Sequence, residues 1–148
     1  RRQRPNCSMR GLAMSEPAAQ LPFSWKVRVY WEDTDAGGVV YHAGYLRFME
    51  RARSEWMRAL GVDQLAYKQA TGLAFMVRDM HIDFLKPALL DDELTVTVDV
   101  KERRAASILF TQTIMKADGG CLIRASVRVA CVDLQRMRPA PIPADLIP

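Results

Sequence analysis

Between His42 and Leu60 the apolar residues fall at helical spacing: Tyr45, Phe48, Met49, Ala52, Trp56, Ala59 and Leu60 recur at steps of three and four. A helix over this stretch would be about 28 Å long, which is a great deal for a small domain. Arg47, Glu50, Arg51, Glu55 and Arg58 cover much of its other side, with Arg51 and Glu55 spaced as an i,i+4 ion pair. Gly61 is well placed to stop it. A long helix with one aromatic stripe needs one broad apolar surface, so it should lie across the face of a sheet.

The rest of the chain supplies that sheet. Residues 26–32 read as a short strand, with Val27, Val29 and Trp31 alternating against Arg28 and Tyr30. Residues 63–71 read as a second, short helix, with Asp63 as N-cap and Gly72 after it. Strands follow at 74–85, with Met76, Met80, Ile82 and Phe84 in register, and at 93–103, 107–117 and 121–133. Asp118–Gly119–Gly120 is a hairpin turn, and after Leu134 four prolines mark an irregular tail. Short connections predict an antiparallel meander of the last four strands. The expected class is α+β, and 148 residues fit one domain spanning about residues 22–145.

The net charge of +4 does not signal a nucleic-acid partner. Arg1, Arg2, Arg4 and Arg10 lie in the first ten residues, and without them 17 basic residues balance 17 acidic ones. A nucleic-acid surface would put the excess on the folded body. Residues 1–20 lack periodicity and read as an extension, disordered or upstream of a start at Met9 or Met14. An Arg-rich transit peptide is the rival reading of that segment. No apolar run reaches the ~18–20 residues needed to span a bilayer. Cys7, Cys121 and Cys131 are odd in number and show no CxxC spacing, so neither a disulfide framework nor a zinc site is signalled. A reducing, cytoplasmic setting is expected.

Chemistry is concentrated in EDTDAGGVVYH, residues 32–42. Carboxylates lead into a glycine pair and then a helix start. Free N–H groups at a helix start can polarise a carbonyl and hold an oxyanion. A nearby carboxylate can attack that carbonyl or activate water. These are the parts of an acyl-transfer site, although acidic, glycine-containing loops before helices also occur simply as caps.

Residues 27–61, VRVYWEDTDAGGVVYHAGYLRFMERARSEWMRALG, resemble the 4-hydroxybenzoyl-CoA thioesterase-like hotdog family, and within it the YbgC-type, Tol–Pal-associated acyl-CoA thioesterases. The D-x-D-x-x-G-x-V-x-[YH] pattern carries the resemblance, and FLKPALLDDEL and VRVACVDLQRMRPAPIP extend it over about residues 22–145. The resemblance implies a hotdog fold, a five-stranded antiparallel sheet wrapped around one long central helix. It further implies a homodimer or homotetramer with sites between subunits. Acyl-CoA, or acyl carrier protein thioesters, would be the substrate, with CoA as part of the substrate and no separate cofactor or metal. Envelope-associated partners are also implied.

On that resemblance Asp35 matches the catalytic aspartate, as nucleophile or general base. His42 matches the residue whose backbone N–H polarises the thioester carbonyl. The benzoyl-specific branch has tyrosine there, so the acyl pocket of this chain need not be aromatic. Lys101, Arg103 and Arg104 stand where the family's basic residues meet the CoA phosphates, though Ala105 and Ala106 follow where further basic residues can occur. Lys86 and Arg138 are the next candidates. The plain readings are a capping and solvating role in the loop for Asp33 and Asp35, a helix-start role for His42, and a charged hairpin end for Lys101, Arg103 and Arg104; Asp33 reads as structural in either case. Glu50 and Glu55 read as surface pairs, His81 as a strand histidine and Cys131 as a small apolar residue. Two other functions fit the same resemblance: a hotdog dehydratase or hydratase, and a non-catalytic acyl-binding or scaffolding module.

Overall fold

The computed structural model describes residues 21–147; the expected N-terminal extension lies outside the described residues. Five long strands and a two-residue sixth form one antiparallel sheet around a helix. They are β1 (Phe23–Arg28), β2 (Leu73–Phe84), β3 (Glu93–Arg103), β4 (Ser107–Lys116), β5 (Cys121–Asp133) and β6 (Arg138–Pro139). The helices are α1 (Gly44–Ala59) and α2 (Gln64–Thr71). Among the described residues no helix is long and apolar enough to cross a membrane.

The strand order is β1-β3-β4-β5-β2, with β6 on β5. The expected four-strand meander therefore holds for β3, β4 and β5 but not for β2. The chain leaves β2 beside the start of β5, where Leu85 and Lys86 both donate backbone N–H bonds to Leu122 O. It then crosses the sheet end and enters β3 next to β1. The connection is short in sequence, yet it joins the two sides of a curled sheet. Such curling lets the sheet enclose α1.

The core lies between α1 and the sheet's concave face. Tyr45, Phe48, Met49, Ala52, Arg53 and Met57 are buried on the helix. Leu94, Val96 and Val98 meet them from β3, and Ile108, Phe110 and Ile114 from β4. The expected stripe shifts at its end: Leu60 is exposed, while Arg53 and Met57 continue the steps of four from Met49. Arg53 Nη1 donates to Gln112 Oε1 at 2.8 Å, and Gln112 Nε2 donates to Met49 O and Thr97 O, each at 3.2 Å. This buried polar bridge ties α1 to β3 and β4. Burial holds the Arg53 guanidinium below its ordinary value, and the charge of Glu50 opposes that. The expected Arg51–Glu55 pair does not form; Glu55 bonds Arg58 instead, one turn on.

Two local phases differ from the sequence reading. β1 begins at Phe23 and ends at Arg28, because Trp31–Asp33 turn into a single 3-10 turn and leave Trp31 exposed. In β2 a bulge between Val77 and Asp79 reverses the alternation. Phe75 before it and Met80 and Ile82 after it pack on the core, whereas Met76 is exposed. The tail is not wholly irregular: β6 pairs with β5, and Ile142 and Ile147 are buried. Asp63 caps α2 through Ala66 N, and Gly72 closes it at φ 73°.

Candidate active site

The segment between β1 and α1 is held by its own backbone and by the β2–β3 connection. Thr34 and Val40 form a bridge, with Asp35 N donating to Val39 O at 2.9 Å. Gly38 N returns to Asp35 O at 3.0 Å, and Gly38 sits at φ 76°, where a side chain would be strained. Val39 bridges Leu89, and Val40 N donates to Ala88 O at 2.9 Å. The loop thus joins the sheet's end as a short hairpin.

Asp33 and Asp35 take different roles within it. Asp33 Oδ2 accepts from Tyr30 N at 2.8 Å, and Asp33 O accepts from Tyr41 N at 2.9 Å. Asp33 is thus the local cap that its short polar side chain suggested. Asp35 is exposed, and its Oδ1 accepts from Gly37 N at 2.8 Å. That single bond fixes the carboxyl and leaves the other oxygen without a partner among the described residues. A Cβ on Gly37 would stand 3.1 Å from Asp35 Oδ1, so the residue must be small for this geometry.

The helix start stands directly beyond the loop. Gly44 N donates to Tyr41 O at 2.8 Å, and no side chain caps α1. The backbone N–H groups of His42 and Ala43 have no hydrogen-bond partner among the described residues. With the dipole of a 16-residue helix behind them, they favour negative charge in front. The His42 ring is exposed and lies against Tyr41 at 4.4 Å and edge-on to Phe84 at 6.5 Å between centroids.

Tyr45 anchors this corner from below. It is buried, and its hydroxyl accepts from Ala88 N at 3.0 Å. Burial pushes its phenol above the ordinary value, the Ala88 bond opposes this, and the charges of Asp35 and Asp92 add to the rise. A cavity of about 290 Å³ opens beside it, lined by His42, Tyr45, Phe84, Leu85 and Lys86 among others. Lys86 is therefore the basic residue nearest the helix start in this wall. Tyr45 was legible as a core position, whereas Phe84, expected in register with Met80 and Ile82, is exposed; nothing in their spacing marked either as a site residue.

Lys101, Arg103 and Arg104 stand elsewhere. Asp35 and His42 gather at the end of the sheet where β3 begins, because β1 pairs Arg28 with Glu93. The basic residues lie at the far end of the same strand, about 33 Å away at ten residue steps. Lys101 occupies a bulge, Arg103 Nη2 donates to Pro143 O at 3.5 Å, and Arg104 Nε meets Glu102 Oε1 at 2.5 Å. Within one chain they do not converge on Asp35. Elsewhere, Glu50 is exposed on α1, His81 Nε2 lies 3.2 Å from Asp83 Oδ1, and burial pushes the Cys131 thiol up. No cluster of three metal-ligating side chains occurs among the described residues.

Comparison with known proteins identifies the family. Residues 29–147 match the family model described as the thioesterase-like superfamily. The chain is 49% identical to the acyl-CoA thioesterase YbgC of Haemophilus influenzae, covering 84% of this chain and 90% of that protein. It is 46% identical to the acyl-CoA thioester hydrolase YbgC of Escherichia coli, covering 84% and 92% respectively. A solved structure of a probable thioesterase from Bartonella henselae superposes with a TM-score of 0.78 at 34% identity, covering 83% of this chain and all of that one. With its sheet curled around one central helix, the chain belongs to the thioesterase-like superfamily and has the hotdog fold.

Proposed function

We propose that this protein hydrolyses acyl-CoA thioesters, with Asp35 as its catalytic carboxylate and the His42 backbone N–H as oxyanion donor. The observation that carries the reading is the pairing of an exposed, oriented carboxylate with unpartnered amides at the start of α1. Family membership, and the activity named for its relatives, supply the reaction class. The thioester carbonyl would sit against the helix start, where the amides and the dipole stabilise charge that develops on its oxygen. Asp35 then acts in one of two ways. It attacks the carbonyl carbon, expels the CoA thiolate and leaves an acyl anhydride that water hydrolyses. Alternatively it takes a proton from water, which itself attacks. No cofactor is needed, and CoA enters as part of the substrate.

The working unit is proposed to be a homodimer, or a pair of dimers. β2 is an edge strand, and Met76, Val77, Phe84 and the adjoining Leu85 are exposed along it. An apolar edge with open backbone groups favours pairing with another strand. If two β2 strands pair antiparallel, the partner's far sheet end lies beside this chain's helix start. The partner's basic end, with its Lys101, Arg103 and Arg104 equivalents, then falls on the side where the CoA phosphates emerge. The free thiols of Cys121 and Cys131 fit a reducing, cytoplasmic setting.

The test is hydrolysis of acyl-CoA by the purified protein, followed by thiol release. Acyl carrier protein thioesters form a second series, since the carbonyl chemistry is the same. Asp35→Asn is expected to lower kcat at least ~100-fold with the fold intact. A kcat within a few-fold of wild type would remove Asp35 from the reaction.

A further inference from the structure

A second cavity, of about 320 Å³, lies further along α1, between it and β2. Its walls are mainly apolar: Met57 from α1, Phe75 from β2, Ile108 and Phe110 from β4, and Val129 from β5. Glu50, Arg53 and Ser54 stand on its helix side. Ile147, from the segment after β6, is also among the residues that line it. Ile147 is 1% exposed although it lies outside every strand and helix. The segment before it is tied to the sheet by Ala140 N to Cys131 O at 2.9 Å and Ile142 N to Ala105 O at 2.7 Å. Beyond Ile142, among the described residues, the segment has a local turn from Leu146 N to Pro143 O at 3.1 Å and a bond from Arg103 Nη2 to Pro143 O at 3.5 Å, and no backbone bond at Ile147 itself. Ile147 is therefore held by what its side chain packs against.

We propose that Ile147 closes the acyl cavity and sets the longest acyl chain the protein accepts. This inference rests on the thioesterase reading above. α1 connects the two places: it starts at the proposed carbonyl position, and its side chains line the cavity further along. Tyr45 and Arg53 are eight residues apart on the helix, about 12 Å, and Tyr45 and Met57 about 18 Å. An extended acyl chain gains about 1.25 Å per carbon from bonds near 1.5 Å. A chain of about ten carbons therefore reaches the cavity from the helix start, and one of about fourteen reaches the wall that Ile147 completes. A mainly apolar cavity of this volume suits an aliphatic chain, its polar lining being Glu50, Arg53 and Ser54 of α1 and Gln64 of α2.

The experiment measures kcat/KM for saturated acyl-CoA thioesters from butanoyl to stearoyl, in wild type, Ile147→Ala and Ile147→Phe. Trimming the side chain should move the longest good substrate up by about two or three carbons, with about a four-fold gain in kcat/KM per accommodated methylene. Enlarging it should move the limit down, and short thioesters should be unaffected by either change. Affinity for non-hydrolysable thioether analogues of the same lengths should shift in parallel. Should Ile147→Phe not fold, the Ile147→Ala profile decides alone. An unchanged length profile in a folded, active Ile147→Ala variant would overturn the inference and leave the thioesterase reading standing. So would a variant that alters dimer dissociation but not the profile, since a partner subunit would then fill the cavity. A wild type that hydrolyses none of these thioesters would instead overturn the thioesterase reading and the inference with it.

Discussion

Asp35 is positioned by one hydrogen bond, from the amide of Gly37. Its orientation therefore depends on a neighbour with no side chain. A methyl group at residue 37 would stand 3.1 Å from the carboxylate oxygen, closer than nearly all real contacts of that kind. The backbone there is not left-handed, so the substitution strains the contact rather than the chain. Gly37→Ala is expected to fold with nearly unchanged stability and to lose about tenfold or more in kcat, because small displacements of a reacting group are costly. Thermal unfolding together with steady-state kinetics checks this; unchanged kcat would mean the Gly37 bond does not orient the reactive group. The same residues show what the sequence revealed at this scale. Only the family resemblance set Asp35 apart from Asp33, and the structure gives Asp33 its backbone partner. Arg53 was not read as part of the helix's buried stripe, although its position four residues after Met49 places it on that face.

At the level of elements, β3 was legible to the residue and β5 likewise, since strict alternation and flanking turns mark both ends. β2 was located but misphased, because an unpaired residue at a bulge has no signature in side-chain type. The sheet order was missed for a related reason. Loop length limits which strands can be joined, but it does not show that a curled sheet brings distant strands within reach. The β2–β3 connection that caused the error also supports the site, through Tyr45 and Ala88. Tyr45→Phe would leave the buried Ala88 amide without a partner, at a cost of about 1–3 kcal/mol. The raised Tyr45 value adds a pH signature. The contribution of the neutral phenol is complete below the unfolded-state value, near pH ~10. It is lost as pH rises through the higher folded value. Urea unfolding should therefore show the gap between wild type and Tyr45→Phe narrowing in alkali. A gap that widens there would contradict the assigned role.

For the molecule as a whole, the separation between the two ends of β3 is decisive. The proposed carbonyl site and the basic triplet occupy opposite ends of one sheet, so a single chain cannot use both on one CoA. Replacing Lys101, Arg103 and Arg104 with alanine should raise KM for acyl-CoA about tenfold and leave kcat nearly unchanged, as uniform binding requires. The loss should shrink in high salt, because exposed charges are screened within ~8–10 Å. It should be absent for an acyl-pantetheine thioester, which has no nucleotide phosphates. An equal loss on both substrates would mean these residues serve the fold, and Lys86, beside His42, would become the leading phosphate partner. Light scattering belongs to the same test, since an active monomer at micromolar concentration would leave the distant triplet unable to act.

The pairing of β1 with β3 also determines when the site can exist during folding. Phe23 pairs with Val98 and Arg28 with Glu93, although some 65 to 75 residues of chain separate the partners. Contacts this distant close large loops and form late, whereas α1 and the hairpins of β3, β4 and β5 depend on near neighbours. The Asp35 loop follows β1 and is sutured to the connection that leads into β3. It therefore gains its shape from the slowest contacts in the molecule. On a ribosome Asp35 would emerge early and stay unorganised until β3 had followed it out. Recovery of activity after denaturation would accordingly trail the return of helical signal.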